Sequence, residues 1–123
     1  MNHLTITGNL GKDPTTRYTP NGKKVCSFSV ASNRHWNDGE GERHEETTWF
    51  NVEAWNGLGE VCQKYLAKGR RVLVEGRLTI RPYTAQDEQQ RTWVAVVASN
   101  VEFLDAPRNQ EQTPAPEEEQ IPF

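Results

Sequence analysis

Apolar and polar residues alternate with period 2 through most of the first hundred positions, one helical pattern follows the third alternating run, and composition breaks after Leu104. These three observations predict an all-β domain. The expected architecture is a five-stranded barrel with one helix between strands three and four, followed by a disordered acidic C-terminal tail.

In the first strand Leu4, Ile6 and Leu10 share one parity and Thr5 and Thr7 the other, so one face is buried. GKDP then breaks the pattern, and Pro20, Asn21 and Gly22 signal a turn. Cys26, Phe28 and Val30 alternate with Ser27 and Ser29 in a second strand. NDGEGERHEE reads as a polar hairpin loop leading into a third strand, TTWFNVEAW. The helix comes next, with Asn56 as its expected N-cap, Leu58, Val61, Cys62, Tyr65 and Leu66 at helical spacing, and Gly69 as its stop. Lys64 and Lys68 fall near its C-terminus, where the helix dipole favours cations. RRVLVEGRLTIRP and RTWVAVVASNVEFL are the last two strands, separated by the loop around TAQDEQQ. Three strands, a helix and two strands is the order of the oligonucleotide-binding barrel.

A chain of 123 residues fits one domain, expected over 1–105, with a short flexible linker at 106–116 and a tip at 117–123. No apolar run approaches the ~20 residues of a membrane helix, and MNHLTITGNL lacks the features of a secretory signal. A cytoplasmic, nucleoid-associated protein is expected. Two cysteines, Cys26 and Cys62, are too few for a disulfide framework and lack zinc-site spacing, so both read as buried free thiols. Residues 1–106 carry 13 Lys+Arg against 13 Asp+Glu, so the net charge of −3 sits in the tail, where Arg108 faces four glutamates. A neutral body binds a polyanion only where its cations cluster on one surface.

Parity assigns that surface. Phe50, Val52 and Ala54 point inward in the third strand, which sends Trp49, Asn51, Glu53 and Trp55 outward. Val72, Val74, Leu78 and Ile80 point inward in the fourth, which leaves Arg71, Arg77, Arg81 and Tyr83 on the outer face. Interleaved rings and cations suit single-stranded nucleic acid, because rings stack on any base and guanidinium groups follow the phosphates. The same face would also serve a subunit interface, with the arginines merely paired to Glu53 and Glu75. Trp36 shares the parity of Cys26 and Phe28, but so do Ser32 and Arg34, so it is expected exposed at the base of a loop. The pattern does not place Trp93.

No Ser/His/Asp arrangement, Walker loop or H-E-x-x-H is present, and His3, His35 and His44 lack ligand partners at metal-site spacing. No catalysis, metal or cofactor is expected. Gly8, Gly11 and Gly22 read as turn and bulge glycines.

GNLGKDPTTRYTPNGKKVCSFSVASN, TTWFNVEAWNGLGEV, KYLAKGRRVLVEGRL and VVASNVEFL, in that order, resemble the bacterial single-stranded DNA-binding proteins over about residues 3 to 104, and the resemblance resumes in EEEQIPF. It implies a homotetramer with single-stranded DNA wrapped over its surface. Its stacking positions fall on Trp36, Trp49, Trp55 and on Tyr83, where many relatives have tryptophan. Candidate contacts to the DNA backbone are Arg17, Lys68, Arg71, Arg77 and Arg81. The tip, Glu117, Glu118, Glu119, Gln120, Ile121, Pro122 and Phe123, would recruit replication and repair proteins: helicases, exonucleases, polymerase accessory and recombination proteins. Phe50, Asn51 and Gly57 depart from the basic or polar residues of some relatives. An oligomeric protein-interaction scaffold and an RNA-binding barrel are the alternatives, and neither needs an acidic arm ending in IPF.

Overall fold

A computed structural model describes residues 1–104; the expected linker at 106–116 and tip at 117–123 lie outside the described residues. Six strands and one helix follow in the order β1 (Leu4–Leu10), β2 (Thr15–Tyr18), β3 (Lys24–Asn37), β4 (Arg43–Trp55), α1 (Asn56–Tyr65), β5 (Arg71–Thr84) and β6 (Gln90–Phe103). The sheet order is β1-β5-β6-β4-β3-β2, and a further β1–β3 pairing closes five of these strands into a barrel. The expected barrel and its single helix are therefore present.

Closure depends on β1 serving two partners. Leu4 to Asn9 pair with β5, while Asn9 and Leu10 pair with Ala31 and Val30 of β3. At Gly8 the backbone of β3 comes so near that a Cβ would collide with the Ala31 carbonyl. On the opposite side β4 and β6 run parallel and pair at only two positions, Val52 with Val96 and Glu53 with Val97.

β2 is the strand that parity does not reveal. TTRY has no apolar alternation, yet it pairs with Lys24 to Ser27 of β3. The chain kinks at GKDP and then rejoins the same edge of β3 that β1 has just left.

The inward set of the first strands holds: Ile6, Leu10, Cys26, Phe28, Val30, Val52, Ala54, Val72 and Val74 are buried. The expectation for Ile80 does not hold, since it is 60% exposed and pairs with the exposed Val94. β5 and β6 run on beyond the barrel as a hairpin arm, so the inward parity there faces no core. β3 and β4 form a second arm, paired as far as Asn37 and Arg43, so the loop between them shrinks from the expected ten residues to 38–42.

The helix differs in detail. Trp55 is the N-cap residue, with no side-chain cap, and Asn56 lies inside the helix at φ 55°. Leu58, Gly59, Cys62 and Leu66 face the barrel, whereas Val61 and Tyr65 are exposed. The helix ends at Tyr65, before Gly69, with the Leu66 N–H donating to Cys62 O at 2.9 Å. Tyr65 instead tilts against Phe103, ring centroids 5.9 Å apart. Cys26 and Cys62 are both buried free thiols; burial raises each above its ordinary value, and Cys62, with Cys26 beside it, is pushed up to about 12.

Candidate nucleic-acid interface

The outer faces of β4, β5 and β6 meet β2 and β3 around a groove with three depressions. The first, about 590 Å³, is lined by Arg17, Ser27, Glu53, Arg81, Pro82, Tyr83 and Trp93. The second, about 460 Å³, includes Trp49, Asn51, Tyr83, Trp93 and Val94. The third, about 170 Å³, includes Lys12, Asp13, Ser29, Asn51, Glu53 and Trp93. Trp93 borders all three.

Strand register explains the gathering. The loop 85–89 pairs Thr84 with Gln90, so Arg81 falls opposite Trp93 and Tyr83 opposite Arg91. Residues paired directly in an antiparallel ladder share a face, and Arg81 and Trp93 therefore lie together outside the barrel. Asn51 Nδ2 donates to the Val94 carbonyl at 3.3 Å, bridging β4 to β6 where the parallel ladder has stopped. Arg17 Nη1 donates to Ser27 Oγ at 3.2 Å across β2 and β3.

Trp49 is 59% exposed and its ring lies over Gly11, where a Cβ would meet the ring. Gly11 thus seats a tryptophan, which its expected role in a turn did not include. Glu53 has the expected outward parity but is only 3% exposed. Its Oε2 accepts from Trp93 Nε1 at 3.3 Å and from Arg81 Nη2 at 3.4 Å.

The other expected residues are spread out. Trp55 ends β4 half-buried beside Val25, six residues or about 20 Å along the strand from Trp49. Arg71 stands ten residues from Arg81, about 30 Å along β5, and donates to Asn9 Oδ1 at 3.4 Å. Arg77 is exposed between them, and Lys68 is exposed after α1, with its backbone N–H donating to Asp13 Oδ1 at 2.8 Å.

Trp36 occupies the tip of the β3–β4 arm, within the strand. Its ring stacks on His44, centroids 5.4 Å apart, and the Arg34 guanidinium lies 4.5 Å from the ring centre. His44 Nε2 donates to Asp38 Oδ2 at 2.8 Å, and the backbone N–H groups of Glu40 and Glu42 donate to Asp38 Oδ1. The His44 hydrogen bond, followed by the backbone donors, holds the Asp38 carboxyl below its ordinary value. His44 does therefore have acidic neighbours: ligand atoms of Asp38, Glu42 and His44 lie within 4.8 Å of one another. The Glu40 and Glu42 contacts of Asp38 lie within the five-residue loop 38–42, and the His44 contact ties that loop to β4.

Sequence parity missed Trp93 and the burial of Glu53. The signal that could have placed Trp93 is the turn: counting outward from the loop 85–89 puts it opposite Arg81.

The family model of the Single-strand binding protein family matches residues 1–104. The chain belongs to this family. Two relatives named single-stranded DNA-binding protein, from Neisseria meningitidis serogroups A and B, are each 42% identical over 119 residues, which is 97% of this chain and 68% of theirs. A solved structure described as a Plasmodium falciparum SSB complex with ssDNA is 31% identical, with a TM-score of 0.78, and the match covers 85% of this chain and 96% of that one. Family membership agrees with the barrel read from strand order. The rings and cations of the groove come from four different strands. Among the described residues no helix is long and apolar enough to cross a membrane.

Proposed function

We propose that the chain binds single-stranded DNA with little regard to sequence, as a non-catalytic protein of replication, recombination and repair. One observation carries this reading: Trp49, Tyr83 and Trp93 line one depression, and Arg17 and Arg81 join Tyr83 and Trp93 in its neighbour, so rings for stacking and cations for phosphates lie side by side along one groove. Stacking uses the π-face that every base has, and contributes ~1–3 kcal/mol per base. The names of the relatives, and the single-stranded DNA with which the Plasmodium protein is complexed, support the same ligand. Trp36, Trp55, Lys68, Arg71 and Arg77 would extend the path over the rest of the surface, which fits a wrapped strand better than a single slot.

Titration with oligothymidylate tests it. Tight binding that quenches tryptophan emission is expected, with duplex DNA far weaker and RNA of the same length a poorer competitor. Trp49→Ala with Tyr83→Ala should weaken binding while leaving the melting transition in place. Affinity should fall with salt at a log-log slope of about −0.7 per phosphate contact, and Arg77→Ala should make the slope shallower. Equal affinity for the double variant and the parent would remove the stacking assignment, and preference for RNA would favour the alternative barrel.

Assembly as a homotetramer and partner recruitment by residues 117–123 are proposed on the family resemblance. Sedimentation as a stable monomer at micromolar concentration would overturn the first. Retained binding to helicases or exonucleases after deletion of 117–123 would overturn the second.

A further inference from the structure

We propose that Trp93 is a further stacking platform, taking one nucleobase in the groove it shares with Tyr83, and that Glu53 is the residue that positions it; this rests on the single-strand binding reading above. A carboxylate on a surface that faces phosphates has the wrong sign for affinity, and a carboxylate as buried as Glu53 is retained only with partners. Both of its donors belong to the groove: Trp93 Nε1 and Arg81 Nη2 converge on the same oxygen, Oε2. An indole has one hydrogen-bond donor. With that donor engaged at 3.3 Å by a buried side chain, one edge of the ring is tethered, while the half-buried ring still borders all three depressions. Among the described residues no ring or cation stacks on Trp93.

The occupant follows from the lining. Tyr83 supplies a second ring, and Arg17 and Arg81 supply positive charge at the rim of the same 590 Å³ depression. A planar base with a phosphate on either side matches that arrangement. Because Glu53 also neutralises part of the Arg81 charge, the subsite should hold its base chiefly by stacking, with a weaker dependence on salt than the rest of the path.

The test is a cycle of variants of the full chain titrated with oligothymidylate. Trp93→Leu should bind about 5- to 150-fold more weakly, the loss of one stacked base. Trp93→Phe keeps a ring and drops only the tether, and should lose about 2- to 10-fold. Glu53→Leu should lose affinity through the same tether, so the double variant Glu53→Leu/Trp93→Phe should bind no more weakly than the weaker single variant. The cycle cancels the separate effect of freeing Arg81. A melting transition that stays well above the titration temperature for every variant keeps the comparison clear of unfolding. If Trp93→Leu binds like the parent while Trp49→Ala does not, the subsite is wrong and the function stands. Additive effects of Glu53→Leu and Trp93→Phe would overturn the positioning role. A parent chain that does not bind oligothymidylate would instead overturn the function itself.

Discussion

The tip of the β3–β4 arm and the groove each join a tryptophan to a carboxylate and an arginine, but they assemble them differently. At the tip, Arg34, Trp36, Asp38 and His44 all come from eleven consecutive residues, and every one of them is at least partly open to water. In the groove, Glu53, Arg81 and Trp93 come from three strands, and the carboxylate is buried. Water screens the tip contacts, so each contributes little and can be exchanged almost independently. In the groove the lower dielectric strengthens each bond and makes a missing partner costly, so the three residues depend on one another.

The sharpest way to break this contrast is Arg81→Met. It leaves the buried Glu53 carboxylate with only the Trp93 N–H, and should destabilise the domain by about 2–3 kcal/mol in a urea titration. A loss below about 0.5 kcal/mol would show that water reaches Glu53 and that the two clusters are alike. Asp38→Ala comes next. It removes the acceptor for three donors at the tip and should lower the urea midpoint by less than Arg81→Met does, with faster amide exchange confined to 38–44.

Acid sharpens the comparison further. The Asp38 carboxyl titrates below its ordinary 3.8, so its contribution is complete above that pH and is lost as pH falls through the lower folded value. Trp36 emission should therefore change below pH 3.8 in the parent and not in Asp38→Asn. The smallest effect expected is that of Arg34→Ala, which breaks the 3.2 Å pair with Glu46 on the open arm and should shift stability by less than about 0.5 kcal/mol.

How much was legible from the sequence divides along the same line. Inward parity was readable wherever the strand faces the closed barrel, as at Cys26, Phe28, Val52 and Val74, because one face is apolar and the other is not. It misled at Ile80, since alternation cannot report where the barrel ends and a free arm begins. Trp93 was unreadable for a different reason. It precedes VAVV, apolar on both faces, and β6 carries an irregularity opposite Glu75 and Gly76 that shifts parity before Val101 and Phe103. The burial of Glu53 depends on a ring forty positions away, and no local pattern encodes that. Of the candidate site, Trp49, Tyr83, Arg17 and Arg81 converge on the groove as a group, while Trp55, Lys68 and Arg71 lie far along the surface.

The two cysteines bear on how this molecule can be handled. Only the thiolate attacks a disulfide or a maleimide, and with Cys62 pushed up to about 12 and Cys26 raised as well, neither ionises at neutral pH. The folded domain should ignore a chromogenic disulfide reagent that titrates two thiols once denaturant is added. Above pH 9.0, where unfolded cysteine ionises, the folded state should lose stability steadily as pH rises toward 12. A cysteine placed at Gly39, in open space on the tip, would then be the one reactive thiol of each folded chain, and would carry a dye onto the arm with both native thiols left in place.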